Sequence, residues 1–323
     1  MLHVRTRSWS TQLLELFAVP AGTLPELVPS AEPLGSIHGI AALSGVPLTA
    51  VLADSHAALY GHGVRTSGSV KATFGTGSSV MALVDSADQV GEQLCLTIAW
   101  EDGTPVYAAE GNIRASGAAI VWAAGLLGMK PHEFLELASV SESGGVDVVP
   151  AFGGLAAPWW DDLAVGVVSG LTLGSGPGQL ARAVVEAVTL QVRDVVAAIS
   201  ACTGPVERLL VDGGATANDA LMQLQADLAQ LPVHRPNTAD LSALGAAHLA
   251  GLATGVWDEA TLQGGPRYGD GFTPQLDRDA AAKRVARWHS ALDRSRYRGP
   301  KPVLTTGSRS GGPVDDRGEP RQH

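Results

Sequence analysis

Apolar positions change their spacing along this chain. Between Gln179 and Cys202, Leu180, Val184, Val188, Gln191, Val195 and Ile199 recur at helical spacing, with Arg182, Glu186, Arg193 and Asp194 elsewhere around the cylinder. That pattern predicts one long amphipathic helix, stopped by Gly204 and Pro205. From Ser69 the runs VKATF, VMALV, LCLTIAW and PVYAA are short and rich in β-formers, and they predict strands. GTGSS joins the first two runs, and EDGT, with its Asp-Gly pair, predicts a hairpin between the last two. Ser116–Leu127 reads as a helix. Farther on, RLLVD predicts a buried strand, 218–231 a helix, 233–235 a short strand and 242–254 another helix. Near the start, SWSTQLLELFAVP predicts a helix capped by Ser10 or Thr11 and ended before Pro20. Four strands, a helix, then alternating helices and strands predict an α/β fold with a mixed sheet and helices packed on it.

A length of 323 residues suggests about two domains. With 45% hydrophobic and 17% charged residues, the composition is that of an ordinary globular protein. The net charge of −10 and the absence of any basic run exclude a nucleic-acid surface, which needs clustered Lys and Arg. Cys95 and Cys202 stand far apart without metal-ligand spacing, which leads us to expect a reducing cytoplasm and neither a disulfide framework nor a zinc site. LLELFAVP is interrupted by Glu15 and lacks a cleavage site, so it is not read as a signal peptide. The most apolar segment, GAAIVWAAGLLG, falls short of the ~20 residues a bilayer requires, so no membrane partner is expected. From Arg298 the composition is that of disorder.

Two glycine turns carry candidate chemistry. Gly75-Thr76-Gly77-Ser78-Ser79 joins two strands and could offer backbone N–H groups and hydroxyls to an anion, or be a plain hairpin. DGGATAND (212–219) lies between strand and helix; it could admit a ligand to its backbone, or be a tight turn with Asn218 as the helix cap. GSGPG (174–178) reads as a loop. Dinucleotide and Walker patterns are both unsatisfied. Asp54 follows the strand-like run PLTAVLA and opens SHAALYG, as either a helix cap or a general base at a strand end. Asp54, Ser55 and His56 are consecutive, a poor arrangement for a triad. His56, His62 and His248 share no metal spacing and read as surface or packing histidines, and Trp159 and Trp160 as packing aromatics or the lining of a cleft.

Taken together, ADSHAALYGHG, ATFGTGSSVMAL, YAAEGNIRASGAAIVW, VPAFGGLAAPWWDDLAVGVVSGLTLG, LARAVVEAVTLQVRD, LLVDGGATANDALMQLQADLAQLPVHRP and ALGAAHLAGLATGVW occur in an order and spacing that resembles the FGGY carbohydrate kinases, their glycerol-kinase branch most closely. The match runs to about Trp257. The resemblance implies an actin-like ATPase (ribonuclease-H-like) fold and transfer of the ATP γ-phosphoryl group, with Mg²⁺, to a hydroxyl of a polyol or sugar in a cleft between two domains. It implies that Asp54 is the catalytic base and also binds the acceptor with Ser55. It further implies that Thr76 and Gly77 contact the transferred phosphate, that Gly117, Gly213, Gly214 and Asn218 contact the nucleotide, and that Asp54 faces the first glycine turn.

The sequence departs from the family pattern where Ala53-Asp54-Ser55-His56 replaces a Gly-Asp-Gln-Gln run, which opens the identity of the acceptor, and where Val121 replaces a glutamine. Met1 aligns inside the family's first domain, so we expect a remnant of that incomplete domain at 1–63, the nucleotide-binding domain at 64–297 and a disordered tail at 298–323. A separate chain supplying the missing half, or a homo-oligomer, is expected on the same ground. The alternative expectation is a non-catalytic nucleotide-binding or interaction remnant.

Overall fold

The computed structural model describes residues 1–238, 240–262, 268–269 and 271–298. The first of these form short elements: β1 (Leu2–His3) pairs with β2 (Ser8–Trp9), α1 spans Thr11–Leu16, and β3 (Gly35–Ser36) pairs with β4 (Pro47–Leu48). Ser10 is the α1 cap, its hydroxyl accepting from the Leu13 N–H. The expected strand before Asp54 shrinks to β4, and α2 (Asp54–Gly61) follows an extended stretch.

The centre is a six-stranded mixed sheet. Its strands are β5 (Ser69–Phe74), β6 (Ser78–Val84), β7 (Cys95–Asp102), β8 (Thr104–Ile113), β11 (Arg208–Asp212) and β12 (Val233–His234), in the order β12-β11-β5-β6-β8-β7. β5 to β8 form antiparallel pairs as their short turns require, whereas β11 joins β5, and β12 joins β11, in parallel. Alternation along β5 sends Val70, Ala72 and Phe74 into one apolar core. Met81, Leu83 and Leu210 belong to a second core on the opposite face, with Leu59 and Tyr60 of α2 and Leu249 of α7 (Leu241–Ala253).

Between these halves lie α3 (Gly117–Leu126), α4 (Pro131–Ser139), the pair β9 (Asp147–Val149) and β10 (Val167–Ser169), and α5 (Pro177–Thr203). α6 (Asp219–Ala229), α8 (Glu259–Leu262) and α9 (Arg278–Arg296) are the remaining helices among the described residues. α4 and α9 were not anticipated from the sequence. α9 explains why α5 is buried beyond its apolar stripe. Glu186 accepts from Arg182 at 3.0 Å and Arg284 at 2.8 Å, and Asp194 accepts from Trp288 Nε1 at 2.8 Å. The polar positions on α5 thus face a second helix rather than water. The tail expected to be disordered lies, past Arg298, outside the described residues.

Trp159 and Trp160 pack locally and border neither cavity described below. The Trp159 ring meets His289 edge-on at 5.8 Å, and Trp160 Nε1 donates to the Gln93 carbonyl at 2.9 Å.

Candidate functional site

The glycine turns converge because β5 and β11 are parallel neighbours ending at the same edge. The Phe74 backbone lies directly against Gly213, whose φ of +95° turns the chain out of β11 and whose missing Cβ leaves room for the Phe74 carbonyl. Gly214 opens a short 3₁₀ turn, Gly214–Ala217, and Asn218 caps α6 by accepting from the Leu221 N–H at 2.8 Å. Capping is therefore an actual task of Asn218.

The first turn is held by the start of α3. The Gly117 N–H donates to the Gly75 carbonyl at 3.0 Å, and the Ser116 and Ala118 N–H groups donate to the Thr76 carbonyl at 3.1 and 3.0 Å. A Cβ at Gly117 would lie 2.6 Å from the Gly75 oxygen. Gly75 and Thr76 themselves are exposed. This is a rigid, solvent-facing loop, which is what backbone recognition of an anion requires.

A cleft of about 710 Å³ opens beside the second turn, lined by Asp212, Gly213, Gly214, Thr216, Arg235 and Asn237 among others. That volume suits a nucleotide-sized molecule. Arg235 is fixed by donating to the Thr216 carbonyl and to Asp219, at 2.6 and 2.8 Å. A smaller cavity of about 340 Å³ shares Asp212 and Gly213 and adds Thr73 and Ser242.

Asp54 reaches this region through α7, since Ser242 Oγ donates to its carbonyl at 2.9 Å. Its position is neither the cap nor a strand end. Ala53 is the cap residue, and Asp54 is the first residue of α2, its exposed carboxylate accepting the Ser55 N–H at 2.7 Å. The reason is the extended approach from β4, which leaves helix entry to Ala53. His56, half-buried, meets Thr97 Oγ1 at 3.1 Å; burial pushes its pKa down, against the charge of Glu110.

His62 is the residue whose role sequence reasoning missed. Rather than a surface or simple packing histidine, it is a wholly buried partner of Asp212, with Nε2 3.0 Å from Oδ2. Burial by itself would raise the Asp212 carboxyl, but the His62 hydrogen bond and the charge of Lys71 outweigh it and leave it below the usual carboxylate range. Lys71 is itself buried on β5, an apolar-strand position with no sequence signal beyond a lysine inside VKATF.

Residues 70–254 match the model of the "FGGY family of carbohydrate kinases, C-terminal domain". The chain is 42% identical over 303 residues to a glycerol kinase of Gloeobacter violaceus, covering 92% of this chain and 61% of that protein. It is 40% identical over 305 residues to an apulose kinase of Pectobacterium atrosepticum, covering 92% and 62%. Among solved structures, a Plasmodium falciparum glycerol kinase with ADP superposes with a TM-score of 0.81 at 25% identity, covering 92% of this chain and 61% of that one. A xylulose kinase of Rhodospirillum rubrum gives 0.74 at 26%, covering 90% and 61%. The chain thus spans about 61% of the length of the glycerol kinase relative it matches. Among the described residues, no helix is long and apolar enough to cross a membrane.

Proposed function

The chain belongs to the FGGY family of carbohydrate kinases, with its actin-like ATPase fold, and on that premise we propose that it forms the nucleotide-binding part of an ATP-dependent kinase acting on a polyol or sugar hydroxyl. The observation that carries this reading is the convergence of Gly75–Gly77, Gly117 and Gly213–Gly214 at one edge of the sheet, where Gly213 and Gly214 line a cleft of about 710 Å³. Phosphoryl transfer asks mostly for positioning and charge stabilisation, which fixed backbone N–H groups and one carboxylate supply.

In this reading the nucleotide lies along Gly213 and Gly214, with Gly117 and Asn218 bordering it, while Thr76 and Gly77 meet the transferred phosphate. Asp54 orients the acceptor hydroxyl and takes its proton, and Ser55 flanks the acceptor. Among the described residues no three His, Cys, Asp or Glu side chains converge as a protein-built metal site would require. Mg²⁺ would enter with the nucleotide, and exposed carboxylates such as Asp54 and Asp240 would help to hold it. When bound, it neutralises charge on the phosphate oxygens.

The domain reading follows: 1–63 belongs with the acceptor domain and 64–297 is the nucleotide-binding domain. A further portion of the kinase, on the same or a separate chain, completes the acceptor side, and the exposed apolar Leu16, Phe17, Ile40, Leu43 and Val46 offer it a surface. The site is read as cytoplasmic, where ATP and such acceptors meet.

The test is ADP production across a polyol and sugar panel, with the complementary portion supplied. Acceptor-dependent release supports the reading, and its absence throughout the panel overturns it. The length covered, 61% of the glycerol kinase relative, favours one other reading, a nucleotide-binding module without catalysis. Nucleotide binding with no turnover in the same assay would select it.

A further inference from the structure

Under the Gly213–Gly214 turn lies a buried polar cluster that the kinase chemistry above does not use. β11 ends at Asp212, whose carboxylate is almost buried yet borders both cavities. His62 caps the C-terminus of α2. Its Nε2 is 3.0 Å from Asp212 Oδ2 and its Nδ1 3.0 Å from the Tyr268 hydroxyl, which also lies 3.0 Å from the His62 carbonyl. A neutral imidazole donates Nε2–H to the Asp212 carboxylate, and the single Tyr268 O–H then lies between two acceptors, Nδ1 and the His62 carbonyl. Burial favours that neutral form.

Lys71 sits beside this pair on β5, directly across the ladder from Leu210. It is 0% exposed, and Nζ has no hydrogen-bond partner among the described residues. Burial pushes its pKa down, and the charge of Asp212 is what most opposes this and holds the proton on, followed by Glu110 and Asp54. Burying an ammonium that makes no hydrogen bond is costly. A methionine would pack against neighbouring Met81 and Leu210 without that cost. What the lysine adds is counter-charge for Asp212.

The consequence falls on the turn, because Asp212 is bonded to Gly213. One short helix therefore begins at Asp54 and ends at the residue that holds the aspartate before the glycine pair.

We propose that His62 is a positioning residue for the nucleotide: acting through Asp212, with Lys71 as counter-charge, it fixes the Gly213–Gly214 turn and ties that turn to the helix bearing Asp54. This rests on the nucleotide reading of the cleft given above. Glutamine at position 62 keeps an N–H that reaches Asp212, whereas leucine keeps the bulk and removes the donor.

Calorimetry of ADP binding to the full chain decides it, on the wild type and on His62→Gln, His62→Leu and Lys71→Met, with a melting curve for each. His62→Leu and Lys71→Met are expected to weaken ADP binding roughly ten-fold or more, and His62→Gln by no more than about threefold, as loss or retention of one charge-assisted hydrogen bond implies. Wild-type affinity in folded His62→Leu overturns the proposal, as does equal loss in the Leu and Gln variants. Should His62→Leu fail to fold, unchanged affinity in Lys71→Met overturns it equally. A wild-type chain that does not bind ADP removes the nucleotide reading itself, and the present inference with it; a binding wild type with indifferent variants removes only the inference.

Discussion

Gly245 of α7 lies so close to α2 that a Cβ on it would overlap the carbonyl oxygen of Ala57. The approach is mutual, since a Cβ on Gly61 would likewise overlap the Leu241 carbonyl oxygen. Two helices cross here backbone to backbone, and this crossing sets the position of Asp54 relative to the sheet.

Gly245→Ala is therefore expected to destabilise the chain by roughly 2–4 kcal/mol, well beyond the small gain that Ala brings to an ordinary helix. Urea unfolding of the two proteins checks it. A variant as stable as the wild type would show that the helices separate at no cost.

Asp54→Asn is expected to lower turnover of the completed kinase by a factor on the order of 10² or more, with ADP affinity within a few-fold of wild type. The carboxylate is exposed and carries no load beyond the Ser55 N–H, which an amide oxygen also accepts. Parallel loss of ADP binding would instead give Asp54 a structural role.

Gly117→Ala should push the Gly75 carbonyl away from its place, since the new Cβ would sit 2.6 Å from it. ADP binding is expected to weaken by roughly ten-fold, while the melting temperature falls by only a few degrees, because the strained loop is at the surface. Calorimetry and a thermal scan separate the two effects.

Asp194 is buried on α5 and accepts from Trp288 Nε1 at 2.8 Å and His289 Nε2 at 3.0 Å. Asp194→Ala leaves the indole N–H buried without an acceptor, a cost of about 1–3 kcal/mol. Hydrogen exchange should then show α9 opening before the rest of the protein.

Stability should decline as pH falls below about 6.5, the ordinary histidine value. Burial lowers the pKa of His62 and His56 in the folded chain, so the unfolded chain binds protons first and draws the equilibrium toward itself. Asp212, also depressed when folded, adds a second decline only in the carboxylate range near pH 4 and below. Denaturant midpoints from pH 8 to 5 measure the first decline, and His62→Gln should flatten it.

Much of the sheet was legible because its signals are local. The Asp-Gly hairpin, the runs of β5 to β8 and the stop at Gly204 each express the preference of a few consecutive residues. α9 was missed although Ala281, Val285, Trp288 and Leu292 form its buried stripe. The stripe is narrow and embedded in arginines, and only contact with α5 and β9 turns those arginines into partners of Glu186 and Asp147. Asp54 reads from the sequence as a helix cap or a strand-end residue and is instead the first residue of α2, because an extended approach from β4 leaves the cap to Ala53.

The sequence by itself determined the kinds of element, their order and the glycine positions, since each follows from backbone freedom or from periodicity within a short window. Its ordered motifs also determined the family. Tertiary structure alone decided that β11 inserts beside β5, bringing the two glycine turns to one edge, and that α2 meets α7 through two glycines. It alone buried Lys71 and paired His62 with Asp212, 150 residues away. The physical reason is that desolvation and charge pairing depend on what the fold places opposite a residue, and no local pattern records that.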